Sequence, residues 1–228
     1  MKDIEGGFLL IDKPSGITSF DCIRRLRGVL DSVKMGHAGT LDPLATGLMV
    51  IGVGKKGTKA LNGLKDADKR YEVTALMGVK TATGDTDGEV TERKDVRISA
   101  EDAEREVKGL KGEQELEVPI YSAVKRKGKP LYWYARKDMT VELPKKIMSV
   151  KEVDFQGMYN EGEDTRIKFS VKVSSGTYVR SLVEELGERL STVATVSALR
   201  RTLVGDYSID EAVTLNEAGA SDVIPLDT

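Results

Sequence analysis

Read for apolar and polar positions, the chain opens on a continuous apolar run, Gly7 to Asp12, which predicts a short buried strand. Pro14, Ser15 and Gly16 then mark a turn. Thr18 and Asp21 have the spacing of a capping box, in which hydroxyl and carboxylate satisfy free backbone donors, so a helix is expected to begin there, with Ile23, Leu26 and Leu30 as its apolar stripe. From Ser32 to Thr46 the periodicity vanishes among Gly36, Gly39, Pro43 and small polar residues, which predicts a loop of unusual length. Loops that long in a compact domain carry function or are disordered, and this one reads as functional. Gly47 to Val53 returns as a buried strand, and Thr58 to Leu64 follows a glycine-rich turn as a short helix.

Further on, Tyr71, Val73, Ala75, Met77 and Val79 alternate with Arg70, Glu72 and Thr74, the period of a strand with one buried face. Ser99 with Asp102 caps a second helix, which Gly109 or Gly112 should stop. Ile167, Phe169, Val171 and Val173 alternate with charged and polar neighbours as another strand, and Tyr178 to Leu190 reads as an amphipathic helix. Strands and helices interspersed in this way predict an α+β fold on a mixed, mostly antiparallel sheet.

Composition narrows the function. At 228 residues the chain can bury a core, and no apolar run is long enough to cross a membrane. Met1 to Gly7 lacks the basic start and apolar stretch of a signal peptide, so the expected location is cytoplasmic. Cys22 and His37 are the sole residues of their types, which argues against a disulfide or a Cys/His zinc site. The net charge of −2 conceals a polarity: Pro119 to Lys151 carries +7 and Met1 to Ala60 +3, whereas Thr81 to Val118 and Asp206 to Thr228 each carry −6. The basic segments could face phosphate or be solvated faces. Tyr121, Tyr132, Trp133 and Tyr134 fall in the +7 segment, where aromatics either stack on bases or pack a short helix onto the sheet.

The densest candidate chemistry is the run Gly36 to Gly47, with Asp42 before Pro43. An Asp-Pro pair initiates turns through backbone restriction alone, so Asp42 is either a turn former or a catalytic carboxylate. Here the chain resembles the TruB family of tRNA pseudouridine synthases. The likeness runs through Gly7 to Pro14 with Gly16, Thr18 and Ser19, then the Asp42 loop, then Lys69 to Glu72. It continues in Thr81, Thr83, Asp85 and Gly88; in Tyr121 to Lys125 with Gly128, Tyr132, Ala135 and Arg136; and in Ser175 to Leu182 and Leu199 to Arg201.

The resemblance implies the pseudouridine synthase fold, its sheet flanked by helices and loops around a central active-site cleft. It also implies isomerisation of a uridine in the T-loop of tRNA, position 55 in tRNA numbering, with neither cofactor nor metal. By that likeness Asp42 is the catalytic acid, whether it attacks the sugar, attacks the base or forms a glycal, and all three routes need it ionised. An ionised acid in a dry pocket needs an opposite charge, and Arg180 is the family's partner for it, placed otherwise as a solvated arginine. Tyr71 corresponds to the tyrosine that meets the target base, though a tyrosine on an apolar strand face is ordinarily core. His37, Lys125, Arg136, Tyr178 and Leu199 are implied RNA contacts, and Lys13 either supports the loop or meets phosphate. The family continues into a small PUA-type domain about where this chain ends, so residues 1–228 are expected to be the catalytic domain alone, with a monomer as the default state.

Two rival readings remain. Gly52 to Gly57 matches the GxGxxG dinucleotide pattern, a short motif with many false positives. The basic segment and its aromatics would also suffice for a non-catalytic RNA-binding or RNA-folding module.

Overall fold

The computed structural model describes residues 6–30 and 33–226, so the start of the expected long loop at Ser32 lies outside the described residues. The chain divides into two compact units, one formed by residues up to Glu72 together with those from Leu199 onward, the other by Val73–Ala198.

In the first unit β1 (Gly7–Lys13) is buried almost throughout, as its apolar run predicts. Helix α1 (Ser19–Val29) starts at the expected cap, with the Thr18 hydroxyl accepting from the Asp21 N–H and the Asp21 carboxylate accepting from the Thr18 N–H. Its buried stripe is Cys22, Ile23 and Leu26. The expected loop is shorter than its sequence suggests, because Met35–Ala38 forms strand β2, paired antiparallel with β3 (Thr46–Val53), Ala38 opposite Val50. Four residues are too few to reveal a period, and Gly36 removes one side chain from it. Helix α2 (Gly54–Ala60) begins inside the glycine-rich stretch rather than after it, and a 3₁₀ turn at Leu61–Leu64 continues it.

Strand β4 (Lys69–Met77) starts in the first unit and ends in the second, where Val73, Ala75 and Met77 are buried in the predicted alternation. There β5 (Val79–Thr81) pairs with β6 (Val90–Arg93). Helix α3 (Ala100–Lys108) is capped by Ser99 and stops at Gly109. Strand β7 (Gly112–Glu117) follows, then the small hairpin of β8 (Lys125–Arg126) and β9 (Lys129–Pro130), which leads into α4 (Leu131–Ala135). Strand β10 (Lys145–Glu161) lies antiparallel to β7 on one side and to β11 (Asp164–Val173) on the other. Helix α5 (Val179–Arg189) has Tyr178 at its N-cap.

Strand β12 (Ala194–Val204) returns the chain to the first unit, where Arg200 and Arg201 run parallel beside Thr46 and Gly47 of β3. Strands β13 (Tyr207–Ser208), β14 (Val213–Thr214) and β15 (Ile224–Pro225) complete that unit. The strand order is β14-β1-β3-β12 in the first unit and β4-β11-β10-β7 in the second. Pairing is mostly antiparallel, with β3 to β12 and β1 to β14 parallel, which agrees with the expected mixed α+β sheet. Each unit has its own apolar cluster: Phe8, Leu10, Leu48, Val50 and Val204 in the first, and Val118, Leu131 and Met148 in the second.

Candidate active-site loop

The segment between β2 and β3 carries Asp42, and its backbone makes the turn that Asp before Pro favours, with the Ala45 N–H donating to the Asp42 carbonyl at 3.1 Å. The turn is held from several sides. The Ser19 hydroxyl, buried at the start of α1, accepts the Leu41 N–H at 2.9 Å and donates to the Leu41 carbonyl at 3.0 Å. The Lys13 ammonium, at the end of β1, donates to the carbonyls of Pro14 at 2.8 Å and Pro43 at 3.2 Å. Arg201 on β12 donates from Nε to the Leu48 carbonyl at 2.7 Å and from Nη2 to the Gly39 carbonyl at 3.2 Å, thereby gripping both ends of the segment. Ser15 adds an exposed bond to the Leu44 carbonyl at 3.0 Å.

Gly47 shows how tightly β12 is laid against this segment. Its φ is +99°, and a Cβ there would stand 2.3 Å from the Arg201 carbonyl oxygen. A side chain at this position would push Arg201 away from the loop.

The electrostatics of the segment are unusual because its supports are buried cations. Lys13 is 0% and Arg201 1% exposed, whereas lysine and arginine are almost never fully buried without a partner charge. Burial pushes the Lys13 ammonium below its usual pKa; the nearby acids Asp42 and Asp21 oppose this, and Arg201 adds to it. Burial also lowers His37, with Arg201 again adding, and lowers Lys69. Lys69 gives its ammonium to the carbonyls of Lys65 and Ala67. The Arg201 charge is thus felt by three neighbouring basic groups, one of which, Lys13, also interacts with Asp42.

Several expectations for single residues in this unit change. Lys13 could have supported the loop or met phosphate, and its burial and carbonyl partners give the first: it is enclosed beneath the turn. His37 is not on a loop but on β2, opposite Ile51, half-buried, with Nδ1 lacking a hydrogen-bond partner among the described residues. Tyr71 is half-buried rather than enclosed in the core. Leu199 is 9% exposed, and its carbonyl accepts from the Thr46 hydroxyl at 3.5 Å, beside the C-terminal end of the loop.

In the second unit Arg180 is buried in the first turn of α5 rather than solvated. Its Nη1 donates to the Thr83 carbonyl at 2.7 Å and its Nη2 to the Tyr121 carbonyl at 2.9 Å, so it joins two separate motif segments. Asp85, also buried, shapes the first of these by accepting from the Thr83 hydroxyl at 2.5 Å. Tyr178 packs beside the Val118, Leu131 and Met148 cluster. Lys125 is exposed on β8, and Arg136 is exposed at the end of α4 with its guanidinium 5.3 Å from the Tyr132 ring centroid. The aromatic segment divides: Tyr134 is buried and donates to the Arg126 carbonyl, while Tyr132 is 39% exposed.

Sequence reasoning assigned no role to Ser19 or Arg201, although both stand in the quoted motifs. The available signal was a serine directly after a cap and an arginine in a strand that must lie beside β3. The GxGxxG pattern has a packing explanation instead. A Cβ on Gly52 would meet the Gly57 carbonyl oxygen at 2.5 Å, and one on Gly57 would meet the Gly7 carbonyl oxygen at 2.2 Å, so these glycines let α2 lie directly on β1 and β3. The described residues contain no cluster of metal-ligating side chains and no helix long and apolar enough to cross a membrane.

Comparison with known proteins agrees in one direction. A family model described as the TruB family pseudouridylate synthase N-terminal domain matches residues 27–179, and one described as the tRNA pseudouridylate synthase B C-terminal domain matches residues 180–221. A protein of Desulfotalea psychrophila named tRNA pseudouridine synthase B is 41% identical over 215 residues, covering 93% of this chain and 87% of that protein. A Bacillus subtilis protein of the same name is 42% identical, covering 94% of this chain and 70% of that protein. Among solved structures, a chain in the crystal structure of a Cbf5-Nop10-Gar1 complex superposes with a TM-score of 0.71 at 27% identity, covering 94% of this chain and 54% of that one. This chain therefore spans about half the length of that solved chain.

Proposed function

Because this chain belongs to the TruB family of pseudouridylate synthases, we propose that it isomerises uridine to pseudouridine at position 55 in the T-loop of tRNA, with Asp42 as the catalytic carboxylate. The observation that supports this most is the attention given to one turn: Asp42 sits on backbone gripped by Ser19, Lys13 and Arg201. Catalytic geometry must be held closely, since misplacement by about 1 Å can cost on the order of a hundredfold in rate.

In this reading the target base leaves its stack at a cost of a few kcal/mol, and Asp42, ionised, takes part in detaching the base from C1′ of the ribose. The base turns, its C5 bonds to C1′, and the C5 proton is removed. Arg180 is the counter-charge that keeps the acid ionised, oriented for the task by its bonds to Thr83 and Tyr121. Tyr71 meets the base and is the candidate for taking the C5 proton. His37, Tyr178 and Leu199 contact RNA near the reacting nucleotide, and Lys125 and Arg136, both exposed, meet phosphate. No bound metal or cofactor enters these steps, and a cytoplasmic monomer fits them.

The test is release of tritium from C5 of labelled uridine in a tRNA transcript, with the wild-type chain and Asp42→Asn compared at equal concentration. Release by the wild type alone is expected. Release by both would remove Asp42 from the chemistry, and release by neither would refute the activity.

A further inference from the structure

Helix α1 has an outer face that neither its own fold nor the catalytic turn uses. Its inner stripe is buried, but Phe20 is 55% exposed, and Arg24, Arg25 and Arg27 all face solvent. At about 100° per residue Phe20, Arg24 and Arg27 lie on one side of the helix within about 60° of one another, whereas Arg25 points about 140° away from Phe20. The helix has one acidic residue, Asp21, which is occupied by the Thr18 cap and by Arg24. A run of solvated arginines would be unremarkable on any helix. The exposed phenyl ring among them is what needs explaining, and the Arg27 guanidinium stands 5.9 Å from its centroid. Cations beside an aromatic platform are the combination that meets a nucleic-acid strand, where the ring stacks and the charges face phosphate.

The position of this face completes the argument. Ser19, the residue before Phe20, is bonded in both directions to Leu41, the residue before Asp42. Phe20 and Asp42 therefore flank one bonded pair, which sets the start of α1 beside the turn that carries Asp42.

We propose that the outer face of α1 is a docking surface for the backbone of the substrate RNA, with Arg24 and Arg27 meeting phosphates and Phe20 stacking on a base or ribose. This rests on the reading of Asp42 as the catalytic residue.

The test uses the whole chain and a tRNA transcript, measuring affinity across a salt series and the single-turnover rate at saturating RNA. Arg24→Gln with Arg27→Gln should weaken binding at least tenfold at about 0.1 M salt, and should flatten the dependence of log affinity on log salt by roughly 1.5 to 2 units. Phe20→Ala should weaken binding while leaving that slope as it is. In each case the loss appears in affinity rather than in the rate at saturation. Affinity within twofold of the wild type, or weaker binding with an unaltered slope in the double variant, overturns the proposal. These surface changes leave the core intact, which circular dichroism checks. A wild-type chain that binds tRNA but releases no C5 tritium would instead defeat the Asp42 reading, so the two failures are distinguishable.

Discussion

Replacing Ser19 with alanine isolates the support of the Asp42 turn, because it removes one oxygen and nothing else. That oxygen makes two bonds to Leu41, which is itself 3% exposed, so water has little access to the groups left behind. A buried donor or acceptor left without a partner costs about 1–3 kcal/mol. Two such groups, partly relieved by relaxation of the turn, should cost about 2–3 kcal/mol. For a chain of this size each kcal/mol lowers the melting temperature by about 2–4 °C, so Ser19→Ala should melt about 4–12 °C lower. The kinetic effect is separate: with Leu41 released, the adjacent Asp42 loses its fixed position, and the single-turnover rate of C5 tritium release should fall by about 10 to 100-fold. Ser15→Ala is the internal control, since its bond to Leu44 is exposed and should be worth no more than about 0.5–1.5 kcal/mol. A Ser19→Ala chain that melts within about 1 °C of the wild type would show that the two bonds carry no stability. One that melts lower but turns over at the wild-type rate would break the link between this support and the chemistry.

Two further outcomes follow from the buried charges. Arg201→Met removes a buried cation along with its bonds to Gly39 and Leu48; the Leu48 carbonyl, left buried without that partner, costs about 1–3 kcal/mol, so melting should fall by about 2–12 °C while the tritium-release rate falls at least tenfold, and Arg201→Lys, which keeps the charge and one bond, should recover part of both. Equal rates in all three proteins would remove Arg201 from the support of the turn. Glu184 on α5 has its pKa raised, chiefly by burial, against the pull of Lys80 and Arg180. A carboxyl raised in the folded state contributes stability at low pH that is lost as pH climbs through the folded value, so Glu184→Gln should match the wild type near pH 4 and exceed it in melting temperature at pH 8; a variant less stable than the wild type at pH 8 would reverse the sign.

The legible parts of this chain are those in which local rules and tertiary structure agree. The caps at Thr18 and Ser99, the stop at Gly109 and the alternations of β4 and β11 each satisfy their own backbone while directing apolar residues inward, so sequence and structure coincide there. Strand β10 was unreadable for a definable reason: its register with β11 shifts between Val150 and Glu152 and again between Phe155 and Gly157, and each bulge resets the alternation from which a strand is recognised. The four-residue β2 was hidden by its brevity.

The candidate site was legible in a different way, and its supports were misjudged by the same rule that located the core. Hydropathy places lysine and arginine outside, and Arg24, Arg25 and Arg27 comply, whereas Lys13 and Arg201 lie under the turn with their charges on backbone carbonyls. An apolar residue at either place would pack with less desolvation but could not bond the carbonyls of Gly39, Pro43 and Leu48, which bracket Asp42. The chain therefore breaks the burial rule at the two positions from which a cation can hold that turn and extend a positive field to its carboxylate. A polar residue buried against its propensity, within bonding distance of a candidate catalytic loop, is accordingly stronger evidence of function than the loop's composition. In this fold that evidence is carried by the side chains beneath Asp42 more than by the Asp-Pro pair itself.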